Sequence, residues 1–170
     1  MHYFLAVRQM IRSLRALDAI LDKSAKYAEG RKFDVNNFCA VRLFPDMLPF
    51  VAQIRIACDI AKATAGNLSG KDVPRHEDNE TTFAELRARI GKCLAVLETF
   101  TADDFARTTA TTMVRLPNKP GKAIAADEYL FARQIPNFYF HVVTAYNLLR
   151  QGGVDIGKND YFGALQFVDA

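Results

Sequence analysis

One apolar helix near the C-terminus carries the polar residues whose types and spacing are best suited to chemistry. It lies in residues 134–163, which hold the most apolar run of the 170-residue chain. At 100° per residue, His141 lies about 180° from Arg150, Asn137 about 140° and Thr144 about 120°. If Arg150 faces solvent, the other three polar side chains face the protein interior.

Gln53, on an earlier predicted helix, is a polar residue that could meet this face. It lies about 160° from Arg55 on its helix, so it also points inward. An unpaired buried amide costs about 1–3 kcal/mol, so Gln53 needs a partner. Three interpretations stay open: a hydrogen-bonded core network, a pocket that binds a small molecule, or a metal site. In a pocket, His141 could act as a catalytic base, because imidazole titrates near neutral pH.

The donor set around His141 argues against a metal. Carboxamides are poor ligands for zinc or nickel, and an ordinary site needs three strong donors from His, Cys or carboxylate side chains. We therefore expect no cofactor, with a divalent metal such as Zn or Ni at His141 as the alternative.

The composition predicts a single domain, residues 1–170, of a cytoplasmic protein. Half of the residues are hydrophobic, which is enough to bury a core. The 22 basic and 19 acidic residues give a net charge of +3, too small and too evenly spread to predict a nucleic acid or membrane partner. No segment is long and apolar enough to span a membrane, and no secretory signal precedes Arg8. The three cysteines have no CxxC spacing and predict reduced, buried thiols.

Hydrophobic periodicity predicts four helices. The first spans about His2 to Glu29, the second about Pro45 to Ala65, the third runs from a Thr82 cap to near Thr101, and the fourth from an Asp127 cap to Gln151. Pro136 is expected to kink or interrupt the last helix. Residues 31–44 are expected to cross the bundle or to carry a short turn of helix, and residues 108–126 predict a β-hairpin around the turn sequence PNKPG.

Two surface features complete the prediction. Tyr139, Val143 and Tyr146 lie on the outward side of the last helix, where the hairpin, the C-terminal tail or a second copy of the chain would cover them. The last alternative makes a homodimer the expected assembly. His76, between charged neighbours in a polar loop, is predicted to be an ordinary exposed histidine.

Three segments of the chain resemble a known family. PNFYFHVVTAYNLLRQGGVDIGKNDYFG resembles the C-terminal signature of a bacterial domain-of-unknown-function family in the DinB/YfiT-like superfamily. LFPDMLPFVAQIRIACDIAK and VPRHEDNETTFAELRARI resemble its central segments. The resemblance extends from about Ile11 to Gly163. It implies an all-α fold, a four-helix bundle with a long crossover and an up-down-down-up arrangement, into which the hairpin is inserted between helices three and four.

The resemblance also implies a degenerate site. The wider superfamily often holds a metal on three histidines, one on helix two and an HxxxH pair on helix four. Aligning LLRQGGV with the superfamily segment LRxxGV places His141 on the second histidine of the pair and Asn137 on the first, while Gln53 falls near the helix-two position. It therefore implies a small-molecule-binding or structural homodimer without metal. The alternative is a thiol-cofactor-dependent transferase or isomerase in which His141 is the base and the two amides orient the substrate.

Overall fold

The protein is mostly helical, with one short two-stranded sheet. The computed structural model describes residues 1–116 and 119–168. Its four long helices are α1 (His2–Gly30), α2 (Phe50–Ser69), α3 (Phe83–Leu97) and α4 (Ile135–Gln151). Helices α1 and α2 each contact the other three, and their inward apolar side chains share one core. Within the described residues, none of these helices is long and apolar enough to cross a membrane.

Helix α2 differs from its prediction at both ends. It begins at Phe50 rather than Pro45, with Pro49 in an extended conformation just before it. A helix starting at Pro45 would place Pro49 in its interior, where the ring would clash with the carbonyl four residues earlier. The helix also continues past Ala65 to Ser69 and ends at Gly70, which has a φ of 77°. This left-handed backbone conformation favours glycine, which has no Cβ atom to clash.

Gly66 within α2 lets the following loop approach closely. A Cβ at this position would lie 2.9 Å from the carbonyl oxygen of Lys71 and 3.1 Å from a methyl group of Val73. The glycine therefore permits the segment after α2 to fold back along the helix. This segment carries His76, so the glycine helps to position that side chain.

Helix α3 begins as predicted and ends four residues earlier. Thr82 and Glu85 form a capping box, in which Oγ1 of Thr82 accepts from the Glu85 backbone and the Glu85 carboxylate accepts from the Thr82 backbone. The helix ends at Leu97, because Thr101 caps a short 3₁₀ helix, Ala102–Phe105, with its backbone N–H and its hydroxyl both donating to the Asp104 carboxylate. A capping residue has a non-helical backbone, so Thr101 cannot also extend α3.

The two predicted connections have the expected character. The segment between α1 and α2 contains a 3₁₀ helix, Val35–Ala40, which buries Phe38. The sheet consists of β1 (Met113–Arg115) and β2 (Ala123–Ala125), which pair antiparallel with Val114 opposite Ile124. The predicted PNKPG turn includes positions 117 and 118, which lie outside the described residues.

The fourth helix starts with a change of helical type. Residues Glu128–Gln134 form a π-helical segment that leads directly into α4, where Pro136 occupies the first turn. The turn before Pro136 is π-helical, and this wider turn spares the proline ring the clash that it would make with the carbonyl four residues earlier in an α-helix. A kink or interruption at Pro136 was predicted; the helical backbone is continuous there, and only the helical type changes. The predicted cap is wrong: Asp127 has a helical backbone, and its carboxylate accepts hydrogen bonds from Tyr3 at 2.7 Å and His2 at 3.0 Å.

The C-terminal tail covers part of the outward side of α4. A short helix, α5 (Lys158–Phe162), packs on α1. The Tyr146 hydroxyl donates to the carbonyl of Ile156 at 3.3 Å, and its ring meets that of Tyr161 edge-on at 6.1 Å. Val143, for which the prediction left open cover by the hairpin, by the tail or by a second copy, remains 39% exposed.

Candidate functional site

Gln53 and His141 meet between α2 and α4. Nδ1 of His141 lies 2.7 Å from Oε1 of Gln53, and the Gln53 Nε2 donates to the carbonyl of Leu48 at 2.9 Å. Gln53 is 1% exposed and His141 is 7% exposed. Both point inward, as their helical angles predict. We call these two residues the Gln53–His141 pair.

The hydrogen bonds of the pair fix which nitrogen of His141 carries the proton. Because the Gln53 Nε2 donates to Leu48, the Gln53 oxygen faces the imidazole and can only accept. Nδ1 of His141 is therefore protonated, and Nε2 carries the lone pair. Burial lowers the pKa of His141, which favours this neutral form.

The lone pair of His141 remains accessible. Within residues 1–116 and 119–168, Nε of Arg89 is the only buried side-chain nitrogen or oxygen that lacks a hydrogen-bond partner. Nε2 of His141 is therefore not among the buried atoms that lack one. Nε2 of His141 has no partner either, so it must keep contact with solvent. The exposed ring of Phe140 stands edge-on to the imidazole, with centroids 5.3 Å apart.

The other two predicted site residues take different positions. Asn137 lies one turn before His141 and is half-buried, and among the described residues no hydrogen bond joins its side chain to the pair. The Thr144 hydroxyl is buried and donates to the carbonyl of Phe140 in its own helix at 2.6 Å. The expected polar trio is therefore a bonded pair with Asn137 beside it.

The residues present do not fit a superfamily-type zinc or nickel site. His141 supplies one strong donor, and the Gln53 oxygen is already engaged by the Nδ1 proton. In the part of the chain that the structure describes, no group of three or more His, Cys, Asp or Glu side chains could hold a metal ion. An ordinary site requires three such donors.

A second polar cluster, absent from the sequence prediction, lies between α2, α3 and the loop of residues 71–80. Its centre is Arg89 of α3, which is 1% exposed. One guanidinium nitrogen donates to both carboxylate oxygens of Asp59 at 2.8 Å and pairs with Asp78 at 3.2 Å. The other donates to Glu80 at 2.9 Å and to the carbonyl of Glu77. We call this set of residues the Arg89 cluster.

His76 adjoins the Arg89 cluster and is not the exposed histidine that the sequence predicts. Lys62 of α2 is only 3% exposed, and its ammonium group donates to Nδ1 of His76 and to the carbonyl of Pro74, both at 3.0 Å. Burial, followed by the Lys62 charge, lowers the pKa of His76. In the sequence, Asp59 and Lys62 share with Arg55 the side of the second helix that would face solvent if the helix stood alone. The loop that folds back along α2 covers this side.

Comparison with known proteins places the chain in a family. A model of the family described as "Domain of unknown function (DUF1993)" matches residues 2–162. The chain belongs to this family. A DinB family member protein from Shewanella denitrificans, known from a crystal structure, shares 41% sequence identity and a TM-score of 0.94. The similarity covers 100% of this chain and 96% of that one. The search of curated proteins found no match.

Membership in the DUF1993 family confirms the prediction of a DinB-like protein made from the three sequence segments. Both the Gln53–His141 pair and the Arg89 cluster lie within the matched residues. The family description names no activity.

Proposed function

We propose that this DUF1993 protein binds a small molecule at the Gln53–His141 pair. The observation that carries the proposal is the fixed orientation of His141, whose Nδ1–H is held by Gln53 while Nε2 keeps an accessible lone pair. A neutral imidazole nitrogen is a good acceptor for a ligand hydroxyl or amine. The site therefore suits a ligand that donates a hydrogen bond.

The surroundings of the pair suit an apolar ligand body. Phe140 is 56% exposed and touches the His141 ring edge-on, and Leu48, whose carbonyl anchors Gln53, is 48% exposed. Small-molecule sites commonly combine an apolar wall with a few fixed polar groups. Asn137, with its amide uncommitted to the pair, and Thr144 are proposed to contact the ligand from the same helix.

The test compares two ligands that differ in one donor. Phenol carries a hydroxyl that can donate to Nε2 of His141, whereas anisole cannot. We expect phenol to shift the ring proton signal of His141 in NMR titrations more than anisole does. The variant His141→Gln, followed at the ring proton signals of the adjoining Phe140, should lose the preference, while His2→Gln should keep it. Equal responses to both compounds, or an unchanged preference in His141→Gln, would contradict the proposal.

The proposed site works without a metal, because His141 is its one strong donor. Protein purified without chelators should contain zinc and nickel far below one ion per chain, as measured by elemental analysis. Stoichiometric metal that disappears in His141→Ala would overturn this part of the proposal.

The arrangement of the four helices, the assembly and the compartment form a further part of the proposal. We infer that α1 to α4 form an up-down-down-up four-helix bundle and that two copies of the chain associate in the bacterial cytoplasm. The three buried free cysteines support a reducing compartment.

Phe140 and Val143, exposed one turn apart on α4, support a dimer contact. Sedimentation should show a dimer that Val143→Glu weakens, whereas Met113→Glu, at another exposed apolar residue, leaves it intact.

A second candidate is an enzyme of the thiol-cofactor-dependent transferase or isomerase type. The accessible lone pair of a neutral His141 favours it, because a general base must be unprotonated at the working pH. His141 would accept the substrate proton, and Gln53 and Asn137 would orient the reactants. Turnover of thiol adducts that is lost in His141→Asn would support this candidate. The absence of any turnover in the native protein would exclude it for the compounds tested.

A further inference from the structure

A cavity of about 620 Å³ lies beside the Arg89 cluster, away from the residues of the Gln53–His141 pair. It is bounded by α2, by the loop of residues 71–80 and by the π-helical segment before α4. This volume is in the range of small-molecule sites. Neither Gln53 nor His141 lines it, so any ligand here would be separate from the one proposed above.

The two carboxylates that line the cavity are matched by cations of the protein. Asp59 pairs with Lys62 at 3.2 Å and with Arg89 at 2.8 Å, and Asp78 pairs with Arg89 at 3.2 Å. Lys62 and Arg89 are almost wholly buried, so their charges are poorly screened by solvent. The two carboxylates therefore do not give the cavity a net negative charge.

Two further cations line the cavity and are not matched. Arg75 and Arg133 take part in no salt bridge among the described residues. One nitrogen of Arg133 donates a hydrogen bond to the side-chain oxygen of Gln134 at 2.9 Å. The Cζ atom of Arg133 lies 5.8 Å from the centroid of the Tyr129 ring. A guanidinium has five N–H donors, so most of those of Arg133 remain available.

His76 adds a hydrogen-bond donor, because its neutral ring carries the proton on Nε2. The Lys62 ammonium can only donate, so Nδ1 of His76 must accept, and the proton of the neutral ring lies on Nε2. The imidazole thus brings an N–H rather than a lone pair to a cavity that it lines. Three donor groups, two of them charged, belong to the walls of one cavity.

The remaining wall is apolar. Ala63, Val73 and Leu116 line the cavity together with the buried ring of Tyr129. A free inorganic ion would leave these surfaces in contact with water, whereas an apolar group on the ligand would cover them. The wall therefore favours an organic anion over a simple one.

We propose that this cavity binds a small organic anion, a carboxylate or phosphate joined to an apolar group, through Arg133, Arg75 and Nε2–H of His76. Guanidinium groups suit both anions, because their paired N–H donors match two oxygens. The apolar part of the ligand lies against Tyr129 and Leu116.

The test uses four compounds that share a benzene ring: phenyl phosphate, benzoate, benzyl alcohol and benzylamine. Each is titrated into the full-length protein while the ring proton signals of His76 and His141 are followed by NMR. We expect the two anions to shift the His76 signal saturably, with little effect on His141. The alcohol and the amine should leave His76 unmoved, and the tighter of the two anions identifies the preferred acid group.

Variants link this response to the cavity. Arg133→Gln should weaken binding of the tighter anion by about tenfold, the loss expected for one charge-assisted contact, and Arg75→Gln should act in the same direction. Arg8→Gln removes an equal charge from an exposed site on α1 and should change nothing. The proposal is overturned if benzyl alcohol or benzylamine binds as tightly as the anions. It is overturned equally if neither anion saturates by about 10 mM, or if Arg133→Gln and Arg8→Gln behave alike.

Discussion

Two histidines of this protein use the same ring nitrogen in opposite senses. Nδ1 of His141 donates to the oxygen of Gln53, whereas Nδ1 of His76 accepts from the ammonium of Lys62. The free nitrogen of His141 is consequently an acceptor, and that of His76 is a donor. A ligand at His141 must therefore donate a hydrogen bond, and a ligand at His76 must accept one.

The comparison shows that the partner, rather than the histidine, determines what a site can bind. Gln53 is held in one orientation by the Leu48 carbonyl, and Lys62 has no acceptor to offer. The Gln53–His141 pair is built from neutral groups and is called the neutral site below. His76 with Lys62 and the Arg89 cluster is built from ions and is called the ionic site, yet both histidines have a lowered pKa. The two sites should therefore respond differently when their supporting partners are removed.

The largest effect should follow loss of Arg89, which holds the ionic site together. Arg89→Met removes the central cation from Glu80 and Asp59, which keep only Arg55 and Lys62, and breaking such a buried network from one side costs about 3–5 kcal/mol. We expect the free energy of unfolding in urea to fall by this amount. The ring signal of His76 should shift, because its loop is tied to Arg89 through Asp78 and Glu80, while that of His141 should not.

Arg87→Met is the matched control, since it removes the same side chain two residues earlier on α3. Arg87 is 41% exposed and pairs with Asp18 and Asp22 on α1. Exposed pairs contribute about 0–1 kcal/mol. Equal losses for the two variants would mean that burial of Arg89 has no energetic consequence, contrary to the comparison.

A smaller loss should follow removal of Gln53, which holds the neutral site. Gln53→Leu leaves the Leu48 carbonyl and Nδ1 of His141 unpaired, at a cost of about 1–3 kcal/mol. The proton of His141 would no longer be fixed on Nδ1, and the ¹⁵N chemical shifts of its two ring nitrogens should converge. Gln9→Leu, on the exposed side of α1, should change stability by less than about 0.5 kcal/mol. Unchanged ¹⁵N shifts in Gln53→Leu would show that Gln53 does not determine the tautomer.

The neutral site could be predicted from sequence because its members lie on the inner faces of two regular helices. Helical angles alone turn Gln53 and His141 toward the interior, and an inward amide demands a partner. For Asn137 and Thr144 the same reasoning gave an inward direction only, and their contact with a ligand stays a prediction. Angles give a direction but not a hydrogen-bond partner, and Thr144 satisfies its hydroxyl within its own helix.

The ionic site could not be predicted in the same way, because its loop has no periodicity. Considered alone, α2 would face solvent with the side that carries Arg55, Asp59 and Lys62. In the folded protein, the loop of residues 71–80 covers this side. The fold-back depends on Gly66, whose missing side chain admits the Lys71 carbonyl. The predicted second helix ends at about Ala65, just before this glycine, so the close contact at Gly66 was not predicted. The start of α3 and the hairpin were predictable because caps and turns have local signatures.

The smallest effect concerns the titration of the two histidines. Since their pKa values are lowered in the folded protein, the unfolded chain binds more protons as the pH falls through about 6.5, the ordinary histidine value. The free energy of unfolding should therefore decrease as the pH falls below this value and stay level, as far as these groups contribute, above it. Urea unfolding between about pH 5 and 8 measures the slope.

Lys62→Met should separate the contributions of the two sites to that slope. It removes the cation bonded to His76, leaving Arg89, Asp59 and Lys92 as the charges around the ring, so the pKa of His76 should rise. The pKa of His141, lowered by burial alone, should stay unchanged, and the pH slope of stability should flatten only in part. Lys26→Met, at an exposed position on α1, should alter neither histidine. If both NMR titration curves moved together in Lys62→Met, the two histidines would not be independent, and the contrast between an acceptor site and a donor site would fail.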